Sequence, residues 1–171
     1  MSKKIFISHS TEDHQIVQYF IDDLLIGALN FNITEIFCTS ADGAKIKSGE
    51  DWRESIMENL SKSSVAVIVI TPNYKSSEMC LNELGALWFT KKNILPLIVE
   101  PIKYETVGVL LTVRQIDKLN DEKSLDRVKD KLQSDYNIEP SLIKSDRWTF
   151  KKKEFLHKLE KYLQTNHFPP P

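Results

Sequence analysis

Cysteine is scarce in this chain: Cys38 and Cys80 are the only two, they form no CxxC pair, and no histidine lies near either. That argues against a disulfide framework and a zinc site, and it fits a reducing compartment. Long apolar runs are missing too. The longest, Val65 to Ile70, is far too short to span a bilayer. Charge of one sign is not in excess. A net charge of −1 gives no electrostatic reason to expect nucleic acid or an anionic membrane as a main partner. Met1-Ser2-Lys3-Lys4 leads straight into a strand-like run without a secretory apolar segment. The expectation is a cytoplasmic protein. Repeats and low-complexity linkers are absent as well, and 171 residues suit one domain with a full core.

What the chain does contain is an alternation of strand-like and helix-like stretches. Lys4 to Ser8 is a short β-rich run, and Ser10-x-x-Asp13 is a weak variant of the capping box. Behind it Ile16, Val17, Phe20, Ile21, Leu24, Leu25 and Ala28 recur at helical spacing. Glu35 to Cys38 reads as a second strand. Thr39 to Gly49 reads as a loop, and a helix with Ser48 as its cap and Trp52, Ile56 and Leu60 spaced four apart follows. Val65 to Ile70 is apolar on both faces, the pattern of a central parallel strand covered on either side. Ser76 or Ser77 caps a helix running to about Lys92. Ile94 to Val99 gives a fourth strand and Gln115 to Leu119 a weaker fifth. Leu125, Val128 and Leu132, then Phe155, Leu156, Leu159, Tyr162 and Leu163, predict two further helices. Ser61 to Ser64 reads as a helix end and turn, and Lys151-Lys152-Lys153 as a solvated helix face.

Five β-runs interleaved with helices predict an α/β fold: a flavodoxin-like three-layer sandwich with a five-stranded parallel sheet, order 2-1-3-4-5, and helices on both faces. In that order the chain reverses direction between the first and third strands, so a ligand crevice lies at their carboxyl ends. The lining loops are then Ser8-His9-Ser10-Thr11 and Thr71 to Ser77.

One residue does not fit its surroundings. In the helix from Glu78 the apolar stripe is Met79, Cys80, Leu84, Leu87 and Trp88, and Glu83 falls inside it. Its neighbours one turn away are Met79, Cys80, Ala86 and Leu87, none able to pair with a carboxylate. Glu83 is therefore solvated by a cleft, bonded to something elsewhere, or partly neutralised, unless it lies at the stripe's margin and simply reaches water. Pattern alone leaves these open.

Taken in order, four segments resemble the Toll/interleukin-1 receptor (TIR) domain family. They are Lys4-Ile5-Phe6-Ile7-Ser8-His9-Ser10, Ile36-Phe37-Cys38 with the loop to Gly49, Ser77-Glu78-Met79-Cys80-Leu81-Asn82-Glu83, and Ile94 to Val99. The third is similar to the family's S-x-W-C-x-x-E motif, whose last residue is the catalytic glutamate. Met79 stands where that motif has tryptophan. The resemblance implies a single TIR domain over 1–171, with 1–120 as the matched core and 121–171 as C-terminal helices. It implies cleavage of NAD⁺ at the nicotinamide–ribose bond, giving ADP-ribose or a cyclic isomer. NAD⁺ enters as substrate; no cofactor and no metal are expected.

On this resemblance Glu83 is the catalytic residue. Ser8, His9 and Ser10 from the first loop, Ser48, Gly49 and Trp52 from the second, and Met79 would contact substrate. TIR–TIR self-association and a separate effector that senses the product are the implied partners, as in Thoeris-type anti-phage defence. Two other readings stand beside it. One is a non-catalytic TIR–TIR interaction module. The other is an enzyme similar to nucleoside deoxyribosyltransferases, which also place a glutamate at a glycosidic bond. Trp52 reads equally well as core packing, His9 as a hydrogen-bonding residue, and Cys80 as buried packing without a basic partner.

Overall fold

The computed structural model describes residues 4–38, 58–89, 93–107 and 115–168. Ser48, Gly49 and Trp52 lie outside them. Five strands form one parallel sheet: β1 (Lys4–Ser8), β2 (Ile36–Cys38), β3 (Ser63–Ile70), β4 (Asn93–Ile98) and β5 (Asp117–Lys118). Their spatial order is β2-β1-β3-β4-β5, as the alternation predicts. Ile7 sits opposite Cys38 on one side and Val67 on the other, so Ser8 emerges at the carboxyl edge where the order reverses.

Successive side chains of a strand face opposite ways, and the core divides accordingly. Ile5, Ile7, Val65, Val67, Val69, Leu95 and Leu97 pack on one face against Phe20, Leu24, Leu132 and Phe155. Phe6, Ala66, Ile68, Ile70, Ile94 and Ile98 pack on the other against Leu60, Tyr74, Leu84 and Leu87. The second set comes from residues 58–62, which are helical, from α2 (Pro72–Ser76) and from α3 (Glu78–Phe89). Both faces of the sheet are covered, so the molecule is a three-layer α/β sandwich.

The first helical stretch departs from the regular spacing. α1 (His14–Tyr19) passes directly into a wider π-helical stretch, Phe20–Ile26. There Gly27 N–H donates to Asp22 O at 2.8 Å and Leu29 N–H to Leu24 O at 2.9 Å, five residues back. A Cβ on Gly27 would lie 2.5 Å from Asp23 O, so only glycine fits the exit. The apolar positions named from sequence are nonetheless all buried.

The C-terminal residues belong to this core. α4 (Glu122–Tyr136) and α5 (Ser145–Thr165) supply Leu125, Val128, Leu132, Trp148, Phe155 and Leu159. Phe155 meets Phe20 edge-on with centroids 6.2 Å apart. Lys158 donates to both oxygens of buried Asp23 at 2.9 and 2.8 Å. Two expectations are corrected here. Lys151-Lys152-Lys153 is not a solvated face, because Lys152 is buried and bonds Asp126 at 2.9 Å, while Lys151 pairs with Glu154 at 2.6 Å. Ser61 to Ser64 holds the expected helix end but not the expected turn. Residues 61 and 62 close the helix and Ser63 already pairs with Lys4 in the sheet.

Phe155→Ala is expected to cost about 3–5 kcal/mol, the usual loss for a fully buried aromatic. Urea unfolding measures it. A loss below about 1 kcal/mol would show that α5 is an appendage to the sheet and not part of its core.

Candidate active site

The crevice end of the sheet is built from two loops that are tied together. After Ser8 the chain turns through Ser10 into a 3₁₀ turn, Thr11–Asp13. The expected Ser10 side-chain cap is not made. The Ser10 carbonyl accepts Asp13 N–H at 2.9 Å instead. Asp13 is fully buried and points to the other loop, where Thr71 Oγ1 donates to it at 2.5 Å and Asn73 Nδ2 at 2.8 Å. Burial is the main influence on Asp13 and raises its pKa, with the bonds from Thr71 and Asn73 pulling the other way. Thr71 is also the cap of α2, since its Oγ1 accepts Tyr74 N–H at 3.0 Å, and Pro72 follows at the first helical position.

Glu83 lies in the middle of the buried face of α3, flanked by Cys80, Leu84 and Leu87. It is 7% exposed, so the reading in which it merely reaches water is wrong. Ser8 Oγ donates to its Oε2 at 2.8 Å. Among the described residues no lysine, arginine or histidine contributes to its ionisation. Burial raises its pKa and the Ser8 bond partly offsets this. Of the three possibilities left by the sequence, the carboxyl is bonded to another element and held toward its neutral form.

Tyr74, from α2, completes the group. Its hydroxyl is 3.1 Å from Ser8 Oγ and donates to the Cys80 carbonyl at 3.1 Å. The sequence places Thr71 to Ser77 in a lining loop without singling out Tyr74; Pro72–Ser76 is instead the helix α2. A threonine followed by proline is a helix-start signature, and it would have placed Tyr74 in a first turn beside the crevice.

The remaining expected residues fall around this centre. His9, next to Ser8, is buried and faces β2: Nδ1 is 2.6 Å from the Ser10 carbonyl and Nε2 2.9 Å from Cys38 Sγ. A carbonyl only accepts, so Nδ1 carries the hydrogen and Nε2 accepts from the thiol. Burial lowers the His9 pKa and keeps the ring neutral. Ser10 is buried. Met79 is about half exposed, as is Trp88, so neither belongs to the packed stripe. Cys80 is buried and its thiol is pushed up by burial, as packing requires. Its N–H is capped by Ser77 Oγ at 3.3 Å. Among the described residues no cluster of histidine, cysteine and carboxylate side chains could hold a metal. No helix there is long and apolar enough to cross a membrane.

With that geometry established, similarity to known proteins can be weighed. The family model described as "TIR domain" matches residues 5–133. The chain is 29% identical over 160 residues to the uncharacterized protein YddK of Bacillus subtilis (strain 168), covering 94% of this chain and 58% of that protein. It thus spans little more than half the length of this relative. Among solved structures, the TIR domain of the Toll-related receptor TRR-2 from Hydra magnipapillata superposes with a TM-score of 0.57 at 16% identity. That match covers 78% of this chain and 97% of the Hydra one. The TIR domains of the activated Roq1 resistosome recognizing the effector XopQ give a TM-score of 0.48 at 20% identity, over 94% and 84% of the two chains.

The buried carboxyl makes a prediction about stability. Burial raises the folded-state pKa of Glu83 above its unfolded value, so folding takes up a proton between the two. The contribution of Glu83 to stability is therefore fully present below the ordinary carboxylate range and is lost as pH rises through the raised value. Glu83→Gln removes that loss. The variant is expected to melt above the parent near pH 8, the gap closing as both are taken to about pH 4. Thermal melts across that range decide it. A variant that melts below the parent near pH 8 would show that the ionised group stabilises the fold.

Proposed function

Because the chain belongs to the TIR domain family, we propose that it cleaves NAD⁺ at the nicotinamide–ribose bond, with Glu83 as the catalytic carboxylate. The observation that supports this most is a sheltered carboxyl at the switch point of the sheet, bonded by a serine hydroxyl and by no cation among the described residues. Nicotinamide departs from a ribose to which it is joined as a pyridinium, so no strong general acid is needed. The barrier is the oxocarbenium character that develops at the ribose, as in glycoside hydrolysis.

A buried carboxyl suits that task. The cationic end of NAD⁺ favours ionisation of Glu83, and the carboxylate then stabilises the positive charge that grows on the sugar. Ser8 keeps the carboxyl aimed. Ser10 and His9 line the first loop, and Ser48, Gly49, Trp52 and Met79 are the further substrate contacts in this proposal. The product is ADP-ribose, or a cyclic isomer where a second group of the substrate is held in place of water. A signalling role in anti-phage defence, with a separate effector that senses the product in the cytoplasm, follows from the same reading.

A second feature favours self-association. On α3 the side chains of Leu81, Trp88 and Phe89 are exposed, Phe89 by 82%, and no described residue beyond its own helix turn lies within 4 Å of the Cβ that Gly85 would carry between them. An open apolar helix face of this kind suits another copy of the chain.

Two experiments test these statements. Purified protein at high concentration with a crowding agent should release nicotinamide from NAD⁺, and Glu83→Ala and Glu83→Gln should lower the rate by about 100-fold or more. Mass spectrometry identifies the product. Equal rates in parent and variants would remove Glu83 from the chemistry, and an inert parent would favour the interaction module. Trp88→Glu should lower the apparent mass of the parent in concentration-dependent light scattering. An unchanged profile would place self-association elsewhere.

A further inference from the structure

Three elements meet at Glu83, and one oxygen joins all of them. Ser8 is the last residue of β1, Tyr74 lies on α2, and Cys80 is three residues before Glu83 on α3. The Tyr74 hydroxyl touches Ser8 Oγ and the Cys80 carbonyl at 3.1 Å each, and Ser8 Oγ touches Glu83 at 2.8 Å. Ser8 and Tyr74 are 0% and 1% exposed, so water does not substitute for either contact. We infer that Tyr74 is a positioning residue for Glu83, its hydroxyl fixing Ser8 against the first turn of α3 so that the carboxyl has one available orientation. The inference rests on the reading of Glu83 as the catalytic carboxylate.

Counting protons shows what the hydroxyl does. There are three contacts, and Ser8 and Tyr74 bring one proton each. A carbonyl can only accept, so Tyr74 must give its proton to Cys80. When Glu83 is ionised, Ser8 gives its proton to the carboxylate. The contact between Tyr74 and Ser8 then has no proton of its own and shares the one directed at Cys80. When Glu83 is protonated, a third proton enters. Glu83 donates to Ser8, Ser8 to Tyr74 and Tyr74 to Cys80, and every contact is complete. A chain satisfied in one protonation state and short by one bond in the other links the direction of the hydroxyls to the charge on Glu83.

The surroundings agree with this account. Among the described residues, the titratable groups facing Glu83 are Tyr74 from α2 and Cys80 on its own helix, with Asp13 of the first loop beyond Cys80; none of these is cationic. Burial pushes the Tyr74 phenol far above its usual range, so it remains a donor wherever the protein is folded. Thr71, held by Asp13, fixes the backbone of Tyr74 in turn.

The test reads the carboxyl directly. Protein labelled with ¹³C at the glutamate carboxyl carbon, with the Glu83 signal assigned by its absence in Glu83→Gln, is titrated as parent, Tyr74→Phe and Ser8→Ala. Tyr74→Phe takes two full bonds from the protonated chain, to Ser8 and to Cys80, and one proton shared between the same two contacts from the ionised chain, so the Glu83 midpoint should fall. Ser8→Ala removes the charge-assisted bond to the carboxylate, the strongest in the chain and the one that holds the Glu83 pKa down, so its midpoint should rise. Opposite shifts support the inference, and an unmoved midpoint in Tyr74→Phe overturns it. If that variant does not fold, the parent suffices. A slowly exchanging Tyr74 hydroxyl proton should shift in step with the Glu83 signal, and independent behaviour overturns the inference equally. None of these readings needs catalysis, so an inert parent sinks the enzyme proposal alone. Where NAD⁺ is cleaved, Tyr74→Phe should lower kcat about tenfold with little change in KM.

Discussion

The Ser8–Glu83 bond joins the end of a central strand to a helix across the edge of the sheet, and it is the contact on which the site depends. A carboxylate out of water costs several kcal/mol after relaxation, whereas a hydroxyl donating to a charged acceptor returns about 1.5–3 kcal/mol. The difference must be supplied by the scaffold. It comes from β1, locked between β2 and β3, and from the Asp13–Thr71–Asn73 tie that fixes the two crevice loops to each other. Remove either and the carboxyl has no reason to stay.

The molecule deals with its other buried carboxylates differently. Asp23 takes Lys158, and Asp117 takes Arg127 at 2.6 Å. A fold able to furnish cations at two sites leaves Asp13 and Glu83, among the described residues, with hydroxyls and an amide. Both of these lie at the carboxyl edge near the switch between β1 and β3, and both have pKa values raised by burial. This contrast sets the ion-paired carboxyls apart from the two at the crevice, which are bonded by neutral donors and shifted by burial.

Much of this was legible in the residues, and the limits have physical causes. The all-apolar run Val65 to Ile70 marks a strand covered on both faces, and it settles the sheet order once four other runs surround it. Glu83 stood out because helical spacing is local and its neighbours are three or four residues away. Yet the stripe was drawn too wide. With Met79 and Trp88 exposed, Glu83 sits at the centre of the buried face and not at its margin. The roles of Tyr74, Asp13 and the buried Lys152 are not legible in the sequence because their partners are 66, 58 and 26 residues distant, beyond any periodicity. The π-helical widening after Tyr19 was hidden for another reason, since it leaves the order of buried positions intact.

The last residue of β1 and the one that follows it face different parts of the molecule. Ser8 reaches α3 and Glu83, while His9, one peptide bond on, reaches Cys38 at the end of β2. A rigid peptide plane connects them. The edge strand β2 and the helix that carries Glu83 are thus tied to neighbouring residues of one short chain segment.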